Sequence, residues 1–331
     1  MALCRRRLTE HGGADYTFQA SKQASKQAGF SLFNTSCMKG AAILLVILCH
    51  MAGTFFEGRV VYFTPLGGIG VAIFLMLSAY GLNESYIKHG LTNWWKKRLM
   101  AVWIPYFIIE CSLYWPFHEW NFLNFLKDIT LLRPLYQNGW YLNYLAFCYI
   151  MFYLIMSNSF TRKHKIVFWG ILSVVSFLVL PEIRAEQSLS FFTGMIFSEK
   201  KEKLKKLNWK IGSMLIIFSV LFLALKQTSI IRNAPQLIYN FVQLMIKLPC
   251  GIGVCGWIIS INKKMSLKFL DLVGKISYEL YLVHGYILSM VPISVGGTII
   301  FILISAIVTI IFYYVVKTIK KQCGKVIYQC H

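Results

Sequence analysis

The chain has 331 residues, of which 57% are hydrophobic and 14% are charged. Soluble domains are about 45–50% apolar, so this composition excludes an ordinary soluble protein and predicts a polytopic membrane protein. The formal net charge of +21 does not indicate nucleic-acid binding, because the basic residues fall in short clusters between apolar segments, as they do in membrane-protein loops.

Residues 1–38 are polar and basic, and they predict a flexible cytoplasmic lead-in. Apolar segments then recur up to residue 316, and a basic cytoplasmic tail follows over residues 318–331. We therefore predict an all-α, polytopic transmembrane helix bundle of about ten spans within residues 39–317, with both termini cytoplasmic. The ten segments are 39–56, 66–87, 99–117, 139–157, 166–181, 187–198, 211–226, 236–261, 270–290 and 298–316.

The charges of the loops support this count. If the amino terminus is cytoplasmic, 26 lysines and arginines fall on the cytoplasmic side and six fall on the other side. Cytoplasmic loops carry the excess of basic residues, so an asymmetry that alternates from loop to loop favours an even number of spans. The six residues on the far side are Arg59, Lys127, Arg133, Arg184, Lys226 and Arg232.

The first apolar segment contains an ionisable residue, His50, and Lys39 lies eleven positions before it. Eleven residues make about three helical turns, so the two side chains share a face and lie about 16 Å apart along the axis. Ionisable groups are costly inside a membrane and are functional by default. Since imidazole titrates near neutral pH, His50 is a candidate general base or acyl relay. A hydrogen bond between helices is the structural alternative.

The second segment is rich in small residues between Gly67 and Gly81, and Ser78 is one of them. Such residues allow helices to approach closely, or they expose backbone amides beside a site. No βαβ context surrounds these glycines, so they do not form a dinucleotide-binding fingerprint.

A cationic cluster precedes the third segment at a predicted cytoplasmic edge, over residues 94–98. Clustered cations of this kind can bind the phosphates of a nucleotide-like donor. They can equally anchor a helix at the cytoplasmic surface. The three cations are Lys96, Lys97 and Arg98.

A second histidine lies in the ninth segment, where residues 274–284 read Gly-Lys-Ile-Ser-Tyr-Glu-Leu-Tyr-Leu-Val-His. Tyr278, Tyr281 and His284 recur at three-residue spacing, so they line one helix face. They are candidates for orienting reacting groups, or for a structural hydrogen-bonded cluster. The nine cysteines of the chain show no paired spacing, so we expect neither a disulfide framework nor a metal site.

Taken in this order, the segments from about Phe33 to Lys317 resemble the acyltransferase family 3 membrane proteins. The specific matches are the basic residue, Gly-x-Ala and histidine of residues 39–50, and the stretch 274–284. Weaker matches are Gly67 to Ser78, the basic stretch leading to Pro105-Tyr106, Trp140-Tyr141-Leu142, and Phe191 to Gly194.

The resemblance implies a membrane O-acyltransferase that moves an acyl group, most often acetyl, from acyl-CoA to a hydroxyl of a cell-envelope glycan or lipid-linked sugar. Acyl-CoA would be a co-substrate, with no permanently bound cofactor, in a multi-pass protein of a bacterial plasma membrane. His50 would be catalytic, and the CoA phosphates would be held by Lys39, Lys96, Lys97 and Arg98. The substrate-binding or orienting residues would be Ser78, Trp140, Tyr278, Tyr281 and His284.

Three positions depart from the family pattern: Lys39 stands where arginine is usual, Ala101 replaces a second arginine, and Leu145 replaces a glutamate. Lysine keeps the charge of arginine but not its bidentate geometry. Two other functions stay open. A secondary transporter or lipid-sugar flippase would also have about ten helices and ionisable residues near the midplane, although no inverted repeat is visible. An inactive envelope scaffold or sensor would retain the same residues for packing.

Overall fold

The computed structural model describes residues 30–329 except residues 57, 118, 136–137 and 262–263. Over these residues the chain is helical and contains no strand, which confirms the all-α class. The first helix begins at Leu32 and so includes the last residues of the predicted lead-in. Residues 1–29 of that lead-in lie outside the described residues.

The helices of the first half of the chain follow the predicted apolar segments, with short helices between them. In chain order they are α1 Leu32–Phe55, a 3₁₀ segment Gly58–Phe63, α2 Pro65–His89, α3 Trp94–Arg98, a π-helical segment Leu99–Trp103, α4 Ile104–Phe117, α5 Phe122–Ile129, α6 Trp140–Ser157, α7 Ser159–Lys163 and α8 Lys165–Val179.

The second half continues in the same way. Its elements are α9 Glu182–Ala185, α10 Ser188–Glu199, α11 Lys201–Lys205, α12 Trp209–Lys226, α13 Ser229–Arg232, α14 Gln236–Ser260, a 3₁₀ segment Lys264–Leu267, α15 Lys268–Lys275, α16 Ser277–Met290 and α17 Val295–Gln329.

Among the described residues, six helices are long and apolar enough to cross a membrane: α1, α2, α6, α12, α14 and α17. Helix α8 is apolar but shorter, with 15 residues. These helices are those of a multi-pass membrane protein. The count of about ten spans and the cytoplasmic position of both termini remain predictions.

Helices α1 and α2 lie at the centre of the packing, and glycines bring their neighbours close. Helix α1 packs on α2 and α15, and α2 packs on α10 and α14. A Cβ atom at Gly40 would overlap the carbonyl oxygen of Leu270, and one at Gly194 would overlap that of Met76. Small residues therefore set the spacing of α1 against α15 and of α10 against α2.

The predicted segment 270–290 is not one helix, because Ile276 divides it into α15 and α16. Helix α15 has an exposed apolar face, on which Phe269 and Leu272 are each 63% exposed. Its opposite face packs on α1, where the Ser36 hydroxyl donates to the Asp271 carbonyl oxygen at 3.0 Å. The run of apolar residues in the sequence does not distinguish this short surface helix from the buried helix that follows.

We expect Gly194→Ala to lower the thermal unfolding midpoint of the detergent-solubilised protein by several degrees. The added methyl group would overlap the Met76 carbonyl oxygen and lie 2.8 Å from Ala79 Cβ, and such overpacking costs about 1–3 kcal/mol. Gly170→Ala is the matched control, because its methyl group would meet only the Phe192 ring, at 3.6 Å. Equal losses in the two variants would contradict the described packing of α10 against α2.

Candidate active site

Two histidines that are 234 positions apart in the sequence meet inside the bundle. His50 on α1 places its Nδ1 atom 2.9 Å from Nε2 of His284 on α16. The two rings stack with centroids 5.0 Å apart and planes 15° from parallel. His284 is completely buried, whereas His50 is half-buried. His50 is therefore the member of the pair that a substrate can reach.

Hydrogen bonding assigns the tautomers of both rings. His284 Nδ1 lies 2.7 Å from the Tyr281 carbonyl oxygen and 3.1 Å from that of Leu280, and since carbonyls only accept, Nδ1 carries the proton. Nε2 of a neutral His284 is then an acceptor, so we infer that His50 Nδ1 donates to it. This leaves His50 Nε2 with a free lone pair, which is the arrangement that a general base needs.

Tyr281 connects the histidine pair to the start of α6. Its hydroxyl donates to the Asn138 carbonyl oxygen. Its ring centroid lies 5.8 Å from that of His284 and 5.3 Å from that of Tyr141. The position of α16 is thus fixed against the segment that precedes α6.

A cavity of about 330 Å³ opens beside His50, and we call it the histidine cavity. It lies toward the carboxyl end of α1 and the amino ends of α2 and α6. His50 is five residues before the end of α1, which is about 7.5 Å, so it lies closer to that end than to the middle of the helix. The lining includes Cys49, His50, Thr64, Gly68, Asn138, Trp140, Tyr141, Glu186, Lys247 and Tyr281.

An ion pair that the sequence analysis missed lines the same cavity. Lys247 on α14 contacts the carboxylate of Glu186, in the turn before α10, and their side chains are only 8% and 5% exposed. Burial raises the pKa of Glu186 above its ordinary value, and the Lys247 ammonium counteracts part of that rise. Each residue alone is a single charge without a motif, so only the fold reveals the pair.

A second cavity, of about 400 Å³, opens toward the opposite end of the bundle, and we call it the basic cavity. Three cations and one carboxylate line it, together with polar groups from α2 and α16. The Tyr278 hydroxyl is occupied there, donating to the Val102 carbonyl oxygen at 2.8 Å. The charged and polar residues of the lining include Lys39, Arg98, Lys275, Glu279, Ser78 and Tyr278.

The structure divides the predicted phosphate-binding cluster. Arg98 lines the basic cavity, where its guanidinium lies 5.2 Å from the Trp94 ring centroid. Its buried Nε atom makes no hydrogen bond within the described residues. Lys96 and Lys97 line a separate cavity of about 470 Å³ beside Lys320. Arg98 and the two lysines therefore line different cavities.

Tyr141 on α6 lies between the histidine cavity and the basic cavity, because it lines both of them. Its side chain is buried, with 5% exposed. Its ring lies 6.3 Å from Phe74 and 5.3 Å from Tyr281, measured between centroids. One aromatic ring thus lines both the cation-rich basic cavity and the cavity that contains His50.

The candidate residues from the sequence fall into three groups. His50, His284, Tyr281 and Trp140 lie at the histidine cavity. Tyr278, on the same helix, lines the basic cavity with Lys39, Arg98 and Ser78. Lys96 and Lys97 lie apart from both groups. Within the described part of the chain, no group of three His, Cys, Asp or Glu residues could hold a metal ion.

The bundle and the paired His50 and His284 define a multi-pass membrane protein whose ionisable centre lies among its helices. A family model described as an acyltransferase domain matches residues 35–318. The chain belongs to this family, acyltransferase family 3, and the resemblance seen in the sequence is confirmed. No curated protein and no solved structure matches the chain. Membership of this family supports the general assignment of the protein as a membrane acyltransferase.

We expect a small, membrane-impermeant methanethiosulfonate added to right-side-out vesicles to modify Cys49. This thiol lines the histidine cavity, at the end of the bundle that the loop charges place outside. Cys148 and Cys255 should stay unmodified, because their side chains are 1% and 0% exposed. Peptide mass spectrometry measures each site. Modification of Cys148 with protection of Cys49, or modification of Cys49 only in inside-out vesicles, would contradict the described accessibility or orientation.

Proposed function

We propose that this membrane acyltransferase moves an acyl group, in the simplest case acetyl, from acyl-CoA to a hydroxyl of a cell-envelope glycan or a lipid-linked sugar. The observation that carries the proposal is the contact between His50 Nδ1 and His284 Nε2, with His50 lining a cavity. The protein would act as a multi-pass protein of a bacterial plasma membrane, with the lipid bilayer as its environment and without nucleic acid as a partner.

In this mechanism His50 activates the acceptor. As the acceptor oxygen attacks the thioester carbonyl carbon, His50 Nε2 takes the hydroxyl proton, and the bond from Nδ1 to His284 holds the ring in the required tautomer. The carbon–sulfur bond then breaks, and the proton passes to the departing thiolate. The products are an acyl ester and free CoA. His50 can alternatively carry the acyl group as an acyl-imidazole that the hydroxyl then attacks.

The basic cavity is the proposed site of the donor. Lys39 and Arg98 line it, and cations of this kind bind phosphate oxygens. Lys96 and Lys97 would bind further phosphates of CoA from the neighbouring cavity, which shares Ala101 with the basic cavity. Ser78 and Tyr278 would contact the arm that carries the thioester toward Tyr141. Acyl-CoA is then consumed as a co-substrate and is not retained.

A secondary transporter or lipid-sugar flippase remains the alternative function. Two cavities that open toward opposite ends of a bundle would also suit alternating access. The two functions differ in their need for CoA, since a transporter requires neither CoA binding nor transfer of an acyl group.

We expect His50→Ala to lower acyl transfer about 100-fold or more, because general-base catalysis contributes about 10²–10⁴-fold. Purified protein in detergent is incubated with radiolabelled acetyl-CoA and an envelope-glycan extract, and label in the glycan is counted. His164→Ala is the matched control, because His164 is exposed outside both cavities. Transfer by folded His50→Ala at the wild-type rate would refute the mechanism. Absence of CoA binding by the wild type would favour the transporter.

We expect Arg98→Ala to weaken acetyl-CoA binding about tenfold, since a hydrogen bond to a charged group is worth about 1.5–3 kcal/mol. Isothermal titration of the solubilised protein measures the dissociation constant. Arg133→Ala serves as the control, because it removes an exposed arginine that lines neither cavity. An unchanged dissociation constant in Arg98→Ala would exclude the basic cavity as the site of the phosphates.

A further inference from the structure

The ion pair of Lys247 and Glu186 is buried among the helices, and a buried ion pair is weak evidence for a role in stability. Transfer of two charges out of water is expensive, and well-packed apolar residues in place of a buried ion pair are often neutral or stabilising. Ion pairs elsewhere in the described part of the chain include more exposed ones. In the pair of Lys165 and Glu199, for example, the side chains are 16% and 27% exposed, against 8% and 5% here. The position of the pair therefore calls for another explanation.

The pair faces the cavity that contains His50. Both of its residues line the histidine cavity. The lysine stem crosses directly over Gly68, where a Cβ atom would lie 2.5 Å from Lys247 Cδ and Cε. The Gly68 carbonyl oxygen accepts a hydrogen bond from Gln187 Nε2 at 2.9 Å. The missing side chain at Gly68 thus leaves the space through which Lys247 reaches Glu186.

A polar path leads from this pair to the end of the bundle. A further cavity of about 470 Å³ shares Thr64 with the histidine cavity. Gln236 there directs its amide group at the Glu182 carboxylate at 3.1 Å, and Gln243, which is buried outside that lining, does so at 3.4 Å. The lining of this further cavity includes Glu182, Lys226, Gln227, Arg232 and Gln236. A hydrophilic ligand would meet polar groups from the surface as far as His50.

We propose that Lys247 and Glu186 form the polar wall of the acceptor site and bind the hydroxyls of an uncharged, hydroxyl-rich ring such as a sugar. This proposal rests on the proposed function and adds the residues that select its acceptor. Glu186 accepts hydrogen bonds from hydroxyls and Lys247 donates to them. Trp140 in the same cavity supplies an aromatic face for the apolar side of the ring. One hydroxyl is thereby held against His50 Nε2.

The charges of the wall determine this ligand class. One ammonium and one carboxylate in contact have no net charge, so together they give a ligand with a full charge of either sign no net attraction. Hydroxyls donate and accept at the same atom, and they can bind both groups without disrupting the ion pair. The site therefore favours neutral polyols over phosphates or ammonium compounds.

The test uses the double variant Glu186→Gln/Lys247→Met, because removal of one partner alone leaves an uncompensated buried charge that destabilises the fold. Radiolabelled acetyl-CoA is held at saturation and the envelope-glycan extract is titrated. We expect the half-saturating concentration of extract to rise about tenfold or more, with a much smaller change in maximal rate. The dissociation constant of acetyl-CoA, measured by isothermal titration, should stay at the wild-type value.

The matched control is Glu199→Gln/Lys165→Met, which removes another ion pair, at the opposite end of the bundle. It should leave the half-saturating concentration of extract unchanged. A folded Glu186→Gln/Lys247→Met protein that transfers with the wild-type half-saturating concentration overturns this inference but leaves the proposed function intact. A wild type that neither binds acetyl-CoA nor labels the extract overturns the proposed function itself.

Discussion

The hydrogen bond between His50 and His284 is the contact on which the rest of the site depends. It requires that His284 stay neutral, because a protonated ring would present donors at both nitrogens and could not accept from His50. The carbonyl oxygens of Tyr281 and Leu280 hold the Nδ1 proton in place. Helix α16 is in turn positioned by the bond from Tyr281 to Asn138. The orientation of the His50 ring is therefore set by contacts made through its Nδ1 atom.

Much of this arrangement could be predicted from the sequence, because ionisable residues stand out in apolar runs. His50 and His284 were both identified in this way, and the helices lie close to the predicted segments. The break at Ile276 was not predicted, because a short amphipathic helix beside a buried helix has the same apolar content. The separation of Arg98 from Lys96 was also not predicted. Each residue of a helix points about 100° away from the one before it, and the packing of neighbouring helices decides which side chain enters a cavity.

The ion pair of Lys247 and Glu186 could not be predicted from the sequence, for a different reason. Glu186 and Lys247 are 61 positions apart, and neither belongs to a motif. One is a single charge in a turn and the other a single lysine in an apolar helix. Their pairing is visible only when the helices are packed. The same holds for Gly68, because the absence of a side chain there matters only once Lys247 is packed over it. Local pattern thus indicates a candidate reacting residue, and tertiary packing reveals what surrounds it.

The ring of Tyr141 has a consequence for the electrical insulation of the membrane. Cavities that open from both ends of a bundle make the apolar barrier to ions thinner. Here the histidine cavity and the basic cavity are both lined by the buried side chain of Tyr141. A hydrated ion would have to shed its water to pass a buried ring, which is costly in an apolar setting. Two cavities that share this ring therefore need not form a continuous path for ions.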